Sequence, residues 1–202
     1  MKNYNFITFE GIEGCGKSTQ VKNLQEFFVK NNLDCLATRE PGGSEIGNKI
    51  RQILLDKNHN LINPKTELLL NFASRIEHIE QKIKPALKQN KKVICDRFFD
   101  STIAYQGYAM GVDLNQIKQI QEIAIGNLVP DITFLIDLPV EIAFERIKSR
   151  SENNRYESMN IDFHQKVRHG FLEIAKNNPR FAIIDGSKSR EEISNQIISF
   201  IS

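Results

Sequence analysis

The chain of 202 residues is 40% apolar and 26% charged, with a formal net charge of +2. That length suits one domain with a substantial core, and so small a charge argues against a general nucleic-acid binder, leaving partners to be read from sites. Three cysteines, Cys15, Cys35 and Cys95, are widely spaced with no CxxC pair; they suggest neither a disulfide framework nor a zinc site, and they suit a reducing cytoplasm.

The first strand-like run begins at Tyr4, so no signal peptide is expected, and no apolar stretch approaches the roughly 20 residues of a membrane helix. The expectation is a soluble, cytoplasmic protein with no membrane partner. In chain order, buried strands are predicted at 5–9 (NFITF), 35–38 (CLAT), 92–95 (KVIC), 132–137 (ITFLID) and 180–185 (RFAIID). Helical spacing marks 19–31, 64–89, 114–125, 140–149, 161–176 and 190–201. Strand and helix alternate, the signature of a parallel sheet covered on both faces. Glu10, Arg39, Asp96 and Asp137 end or follow four of the strands, where open α/β sheets bind ligands. Residues 150–160 are polar and weakly patterned and read as a mobile loop.

Residues 11–18, GIEGCGKS, match G-x-x-x-x-G-K-[ST] between a strand and a helix. Glycines allow successive backbone amides to turn toward one phosphate. Gly11, Ile12, Glu13, Gly14, Cys15, Gly16, Lys17, Ser18 and Thr19 are therefore the candidate ATP cradle. Lys17 can neutralise the β- and γ-phosphates, Ser18 can ligate Mg²⁺, and the following helix adds the positive end of its dipole. A GTPase is disfavoured because Asn90-Lys91-Lys92 has no aspartate behind it. A mechanochemical ATPase would show a strand ending in Asp-Glu, whereas Arg97 follows Asp96. Asp96 is the natural carboxylate for Mg²⁺ or its waters, and Arg97 can fork two N–H groups onto a second phosphate. Two facing phosphate sites imply transfer between them.

TREPGG (38–43), FASR (72–75) and DRFFDSTIAYQG (96–107), together with the acidic residue in the phosphate loop, resemble the thymidylate kinase family over nearly the whole chain. The resemblance implies a three-layer P-loop fold with a five-stranded parallel sheet in the order 2-3-1-4-5, and transfer from ATP to dTMP with Mg²⁺. It also implies a role for each matched residue. Arg39 and Arg97 hold the dTMP phosphate, Glu13 approaches the sugar 3′-OH, and Glu40 orients the magnesium shell with Ser18 and Asp96. Phe72 stacks on thymine, Arg75 meets its 4-carbonyl, Gln106 reads its edge, Tyr105 packs by the deoxyribose, and Ser101 supports the base or its phosphate. Lys17, Arg97, Glu13 and Asp96 make up the catalytic set with a lid arginine.

Gly14 follows the acidic residue of the loop, and the chain thereby resembles the bacterial-like members, in which a flexible lid supplies arginines. A lid at 146–160 offers Arg146, Arg150 and Arg155, with Arg150 as the expected catalytic one and the other two as supporting or adenine-contacting groups. The resemblance further implies a homodimer. The lysines at 82, 84, 88, 91 and 92 read as a solvated helix end, and His59, His78, His164 and His169 show no metal-ligand spacing. Cys15 is open to oxidants or thiol reagents in this reading and is not required for catalysis. Another nucleoside monophosphate or deoxynucleoside kinase is the nearby alternative, and a P-loop regulatory ATPase is the alternative of a different class. Arg150→Ala is expected to lower turnover by at least about a hundredfold, with little change in dTMP binding, in steady-state kinetics and equilibrium titration.

Overall fold

The computed structural model describes residues 4–58, 62–148 and 154–202; the expected lid arginine Arg150 and His59 lie outside them. The chain runs β1 (Phe6–Glu10), α1 (Lys17–Lys30), β2 (Cys35–Arg39), α2 (Glu45–Leu55) and α3 (Pro64–His78). It passes through a π-helical turn at Ile79–Ile83 into α4 (Lys84–Lys88), then β3 (Lys92–Asp96) and α5 (Phe99–Thr102), which continues as a π-helical stretch at Ile103–Ala109. There follow α6 (Leu114–Ile125), β4 (Ile132–Asp137), α7 (Val140–Lys148), α8 (Ile161–Ala175), β5 (Phe181–Asp185) and α9 (Arg190–Ile201).

The five strands pair in parallel in the order 2-3-1-4-5, as expected. Successive side chains of β1 leave on opposite faces. Ile7 and Phe9 join a core with Val21, Leu24 and Phe28 of α1 and Ile193 and Ile197 of α9. Phe6, with Val93 and Cys95 of β3, packs against Ile79, Ile83, Phe98 and Phe99. The register places Phe9 opposite Asp96 on β3 and Phe134 on β4, so β3 and β1 end within one residue of each other and β4 runs two residues further along the same carboxyl edge. That common edge carries the chemistry.

The expectation of buried strands fails at the two edges. β2 is half-buried from Cys35 to Thr38 and exposed at Arg39, and Ile183 of β5 is exposed, because an edge strand has a neighbour on one side only and less helix above it. The helix expected at 64–89 is interrupted by its π turn, an irregularity that hydrophobic spacing does not reveal. Two helical segments were not expected from the sequence. α2 starts at Ser44, whose hydroxyl accepts from Gly47 N at 3.1 Å, a sound N-cap hidden behind the glycines of the preceding turn. The segment 99–109 is rich in β-branched and aromatic residues and one glycine, a poor helix composition, and Gly170 of α8 lets the two segments close up: a Cβ there would lie 2.8 Å from Tyr108.

The lid expected at 146–160 is helical as far as Lys148, and beyond the undescribed residues Arg155 and Tyr156 are buried. Phe134 has no exposed surface and stacks near Phe9 and Phe200, with ring centroids 5.3 and 5.9 Å apart. Phe134→Ala should cost about 3–5 kcal/mol of stability, read from urea denaturation.

Candidate active site

β1 delivers the chain into a loop whose glycines are demanded by both conformation and space. Gly11 has φ 140° and a Cβ there would lie 2.5 Å from the carbonyl oxygen of Ile136; Gly14 has φ 76° and its Cβ would lie 2.7 Å from that of Ala143. The loop is thus wedged between the end of β4 and α7, where only glycine fits. Gly16 precedes α1 without a side chain to cap it, so the first-turn amides stay directed at the loop's interior. Lys17 Nζ lies inside the loop, donating to the carbonyl oxygens of Gly11 at 3.1 Å and Ile12 at 2.8 Å. Cys15 is buried beneath the same turn, its Sγ 3.5 Å from Lys17 Nζ, which removes it from the ready reach of reagents that its sequence position suggested. Ile12 is buried in the core, while Thr19 lines the cavity described next.

A cavity of about 290 Å³ opens beside the loop, a size suited to a small ligand. At its near end Ser18 Oγ donates to Asp96 Oδ2 at 2.6 Å. A hydroxyl and a carboxylate are hard oxygen donors of the kind Mg²⁺ prefers. Among the described residues no cluster of three or more His, Cys, Asp or Glu side chains could hold a metal by itself, so a cation here would take further oxygens from phosphates and water.

Arg97 ties the loop to the neighbouring strand end. Its backbone is left-handed at φ 71°, an unusual conformation for a residue with a Cβ. Nη1 donates to the Gly11 carbonyl at 2.9 Å and to Ser101 Oγ at 3.0 Å. Nη2 lies 3.0 Å from both Glu13 Oε1 and Tyr105 Oη, and the guanidinium carbon stands 5.0 Å from the centre of the Tyr105 ring. Tyr105 in turn donates to Glu13 at 3.2 Å. Burial alone would raise the Glu13 carboxyl, but the Arg97 and Lys17 charges outweigh it and hold the group at about 2. Glu10 behaves oppositely. Accepting from Phe98 N at 2.7 Å and Ser101 Oγ at 2.5 Å, it is raised to about 7 by burial and by Asp100, despite Arg97 nearby.

Two more cations line the cavity. Arg39 ends β2, and Arg51 of α2 donates to the Pro41 carbonyl at 2.8 Å. Burial and then the charge of Arg39 lower the Arg51 pKa, against the pull of Asp96 and Glu13. Sequence reading missed Arg51 because it missed α2; Ile46, Ile50, Ile53 and Leu54, at helical spacing after Ser44, were the available signal.

The far end corrects three expectations. Glu40 was assigned to the magnesium shell, but Arg75 Nε lies 2.6 Å from its Oε2 and His78 Nδ1 2.9 Å from its Oε1. With both oxygens engaged in a buried site, it acts as the counter-ion that aims Arg75, which also donates to Thr102 Oγ1 and the Phe98 carbonyl, both at 3.1 Å. Phe72 is 2% exposed, packed with Leu68, Val112 and Ile117, and covered by the Arg75 guanidinium 5.0 Å from its ring centre. It does not line the cavity; its neighbour Asn71 does. A base could lie on the Phe72 ring only after Arg75 moved. Arg155 was assigned to the lid as an adenine contact, but it is buried, donating from Nε to the Leu54 carbonyl at 2.9 Å and pairing with Glu67. Ser101, Tyr105, Gln106 and Arg75 do line the cavity as a group. Arg146 is not among the lining residues and donates to the Gly186 carbonyl at 3.3 Å.

A parallel sheet of this order, a phosphate loop after its first strand and a cation-lined cavity across from that loop define a P-loop phosphotransferase. The thymidylate kinase family model matches residues 9–197. The thymidylate kinase of Carboxydothermus hydrogenoformans is 45% identical over 196 residues, covering 97% of this chain and 96% of that protein. That of Thermoanaerobacter pseudethanolicus is 45% identical over 197 residues with the same coverage. The crystal structure of thymidylate kinase from Ehrlichia chaffeensis superposes with a TM-score of 0.78 at 38% identity, covering 97% of each chain. The chain belongs to the thymidylate kinase family and is a nucleoside monophosphate kinase.

Glu10 generates a pH prediction. Its carboxyl stands at about 7 folded against an ordinary 4.5, so between those values the native state holds a proton that the unfolded state has lost. Native protein then binds more protons, and stability falls as pH rises through that window. Glu10→Gln should flatten this part of the profile of denaturant stability against pH.

Proposed function

We propose that the chain transfers the γ-phosphoryl group of ATP to dTMP, giving ADP and dTDP, in a cytoplasmic setting. The observation that supports this reading is Arg97, which bridges the Gly11 carbonyl of the phosphate loop and the Glu13 carboxylate in the wall of the cation-lined cavity. Donor and acceptor phosphates gripped on its two sides would stand in line. An oxygen of the dTMP phosphate attacks the γ-phosphorus, the bond to the β–γ bridging oxygen breaks, and ADP leaves. The chain's share of the work is position and charge.

The loop amides and Lys17 hold the donor phosphates. Arg97, Arg39 and Arg51 hold the acceptor phosphate, the last replacing no expected residue but standing beside Arg39 in the same wall. Ser18 and Asp96 would hold Mg²⁺, partly through water, and the ion would supply positive charge beside the donor phosphates. Glu13, kept ionised by Arg97 and Lys17, accepts from the sugar 3′-OH. Tyr105, whose ring is fixed edge-on against Tyr156, Phe163 and Phe171, is the rigid wall that leaves no room for a ribose 2′-OH. Arg75 donates to the base 4-carbonyl from its anchorage on Glu40. Arg150 remains the lid arginine of this reading, and the homodimer would cover Leu69 and Ile76, exposed apolar residues of α3.

Purified protein with ATP and Mg²⁺, offered dTMP, dUMP, dCMP, dGMP, dAMP and UMP in turn, should form dTDP with a kcat/KM above that for dCMP and the purine nucleotides by at least about a hundredfold. A different favourite overturns the acceptor; hydrolysis of ATP without phosphorylation of any acceptor overturns the reaction.

A further inference from the structure

Gln106 stands in the cavity wall among Arg75, Asn71 and Tyr156, away from the loop that holds Lys17. Its carboxamide can present either an N–H donor or a carbonyl acceptor, and the choice decides which base edge the wall accepts. Gln106 does not make that choice by itself. Its Nε2 donates to Glu67 Oε1 at 2.8 Å. An ionised carboxylate only accepts, so the amide nitrogen must turn toward Glu67 and the carbonyl toward the ligand. Glu67 itself has no exposed surface and does not line the cavity. Its charge is kept in place by an ion pair with Arg155 Nη2, and its Oε1 also accepts from Tyr156 Oη at 2.7 Å.

We infer that Glu67 is a positioning residue for base selection, locking Gln106 so that the wall offers an acceptor beside the donor Arg75. This rests on the dTMP reading above. Thymine and uracil show an N3–H donor flanked by carbonyls, which complements an acceptor next to a guanidinium. Cytosine shows a bare N3 and an amino group. It would set acceptor against acceptor and donor against donor, leaving buried polar groups unpaired. Because Arg155 and Tyr156 follow Glu67 by 88 and 89 positions, the same carboxylate also fastens the segment after residue 153 to α3. Base selection and the seating of that segment share one buried charge.

The test measures kcat/KM for dTMP and dCMP, and KM for ATP, in the wild type, Gln106→Ala, Glu67→Gln, Glu67→Asp and the double variant Glu67→Gln/Gln106→Ala. A glutamine at 67 can donate as well as accept and releases the orientation of Gln106; an aspartate keeps the charge but withdraws it by one methylene, and serves if the first variant folds poorly. Each single substitution is expected to lower the dTMP-to-dCMP ratio by about tenfold or more, with KM for ATP within about twofold. In the double variant, Glu67→Gln should lower the ratio no further than Gln106→Ala alone. Equal losses on both substrates, leaving the ratio unchanged, or independent effects that multiply in the double variant, overturn the inference. A wild-type enzyme indifferent between dTMP and dCMP overturns the acceptor assignment, and a preserved wild-type preference with an unchanged ratio in the variants overturns the role of Glu67 alone.

Discussion

The contact between Arg97 and Glu13 is the constraint around which the active site is arranged. A carboxylate inside an anion-binding loop is unfavourable unless a cation stands against it, and Arg97 supplies that cation from the adjacent strand end while also bonding the loop's own backbone. The register of β1 and β3, with Phe9 opposite Asp96, places the two within reach. Arg97 accepts a left-handed backbone to get there, and such a conformation persists where surrounding bonds over-determine it. Here Ser101, Tyr105, Glu13 and Gly11 all hold the same guanidinium.

Away from the loop further ion pairs are buried in and behind the cavity wall, Glu40 with Arg75 in the wall and Glu67 with Arg155 behind it. Buried pairs of this kind are weak contributors to net stability, because desolvation offsets most of their attraction, yet removing one partner leaves a buried charge and is costly. Their return is orientation. A guanidinium with a carboxylate at Nε, a hydroxyl at Nη1 and a carbonyl at Nη2 keeps two of its five N–H donors, one on each Nη, in a fixed plane, and Arg75 is held in that way. The same logic applies to the glutamine that Glu67 fixes.

Much of this was legible in the chain. The alternation of apolar runs and helical spacing predicts a parallel sheet, and the phosphate loop is recognisable because its residue types are each demanded by backbone geometry or charge. Arg97 followed from its place after a strand-ending aspartate. What was hidden depended on tertiary phase. Phe72 and Asn71 are neighbours; the family resemblance points to the aromatic as the base contact, whereas helical spacing favours it as core, and it is the polar residue that stands in the wall. Glu67, in the first turn of α3, looks like an ordinary favourable charge at a helix start, and only its distant partners reveal it as buried. Arg155 sits in a stretch whose polar composition reads as solvated, and its burial is due to Leu54 and Glu67, which are remote in sequence.

The position of Cys15 has a practical corollary. Its thiol is packed under the phosphate loop at 1% exposure, against the inner side of Gly11, so an alkylating reagent reaches it only when the loop lifts from the sheet. The labelling rate of that one sulfur is therefore a gauge of breathing in the nucleotide cradle, and anything that clamps the loop shut registers as protection.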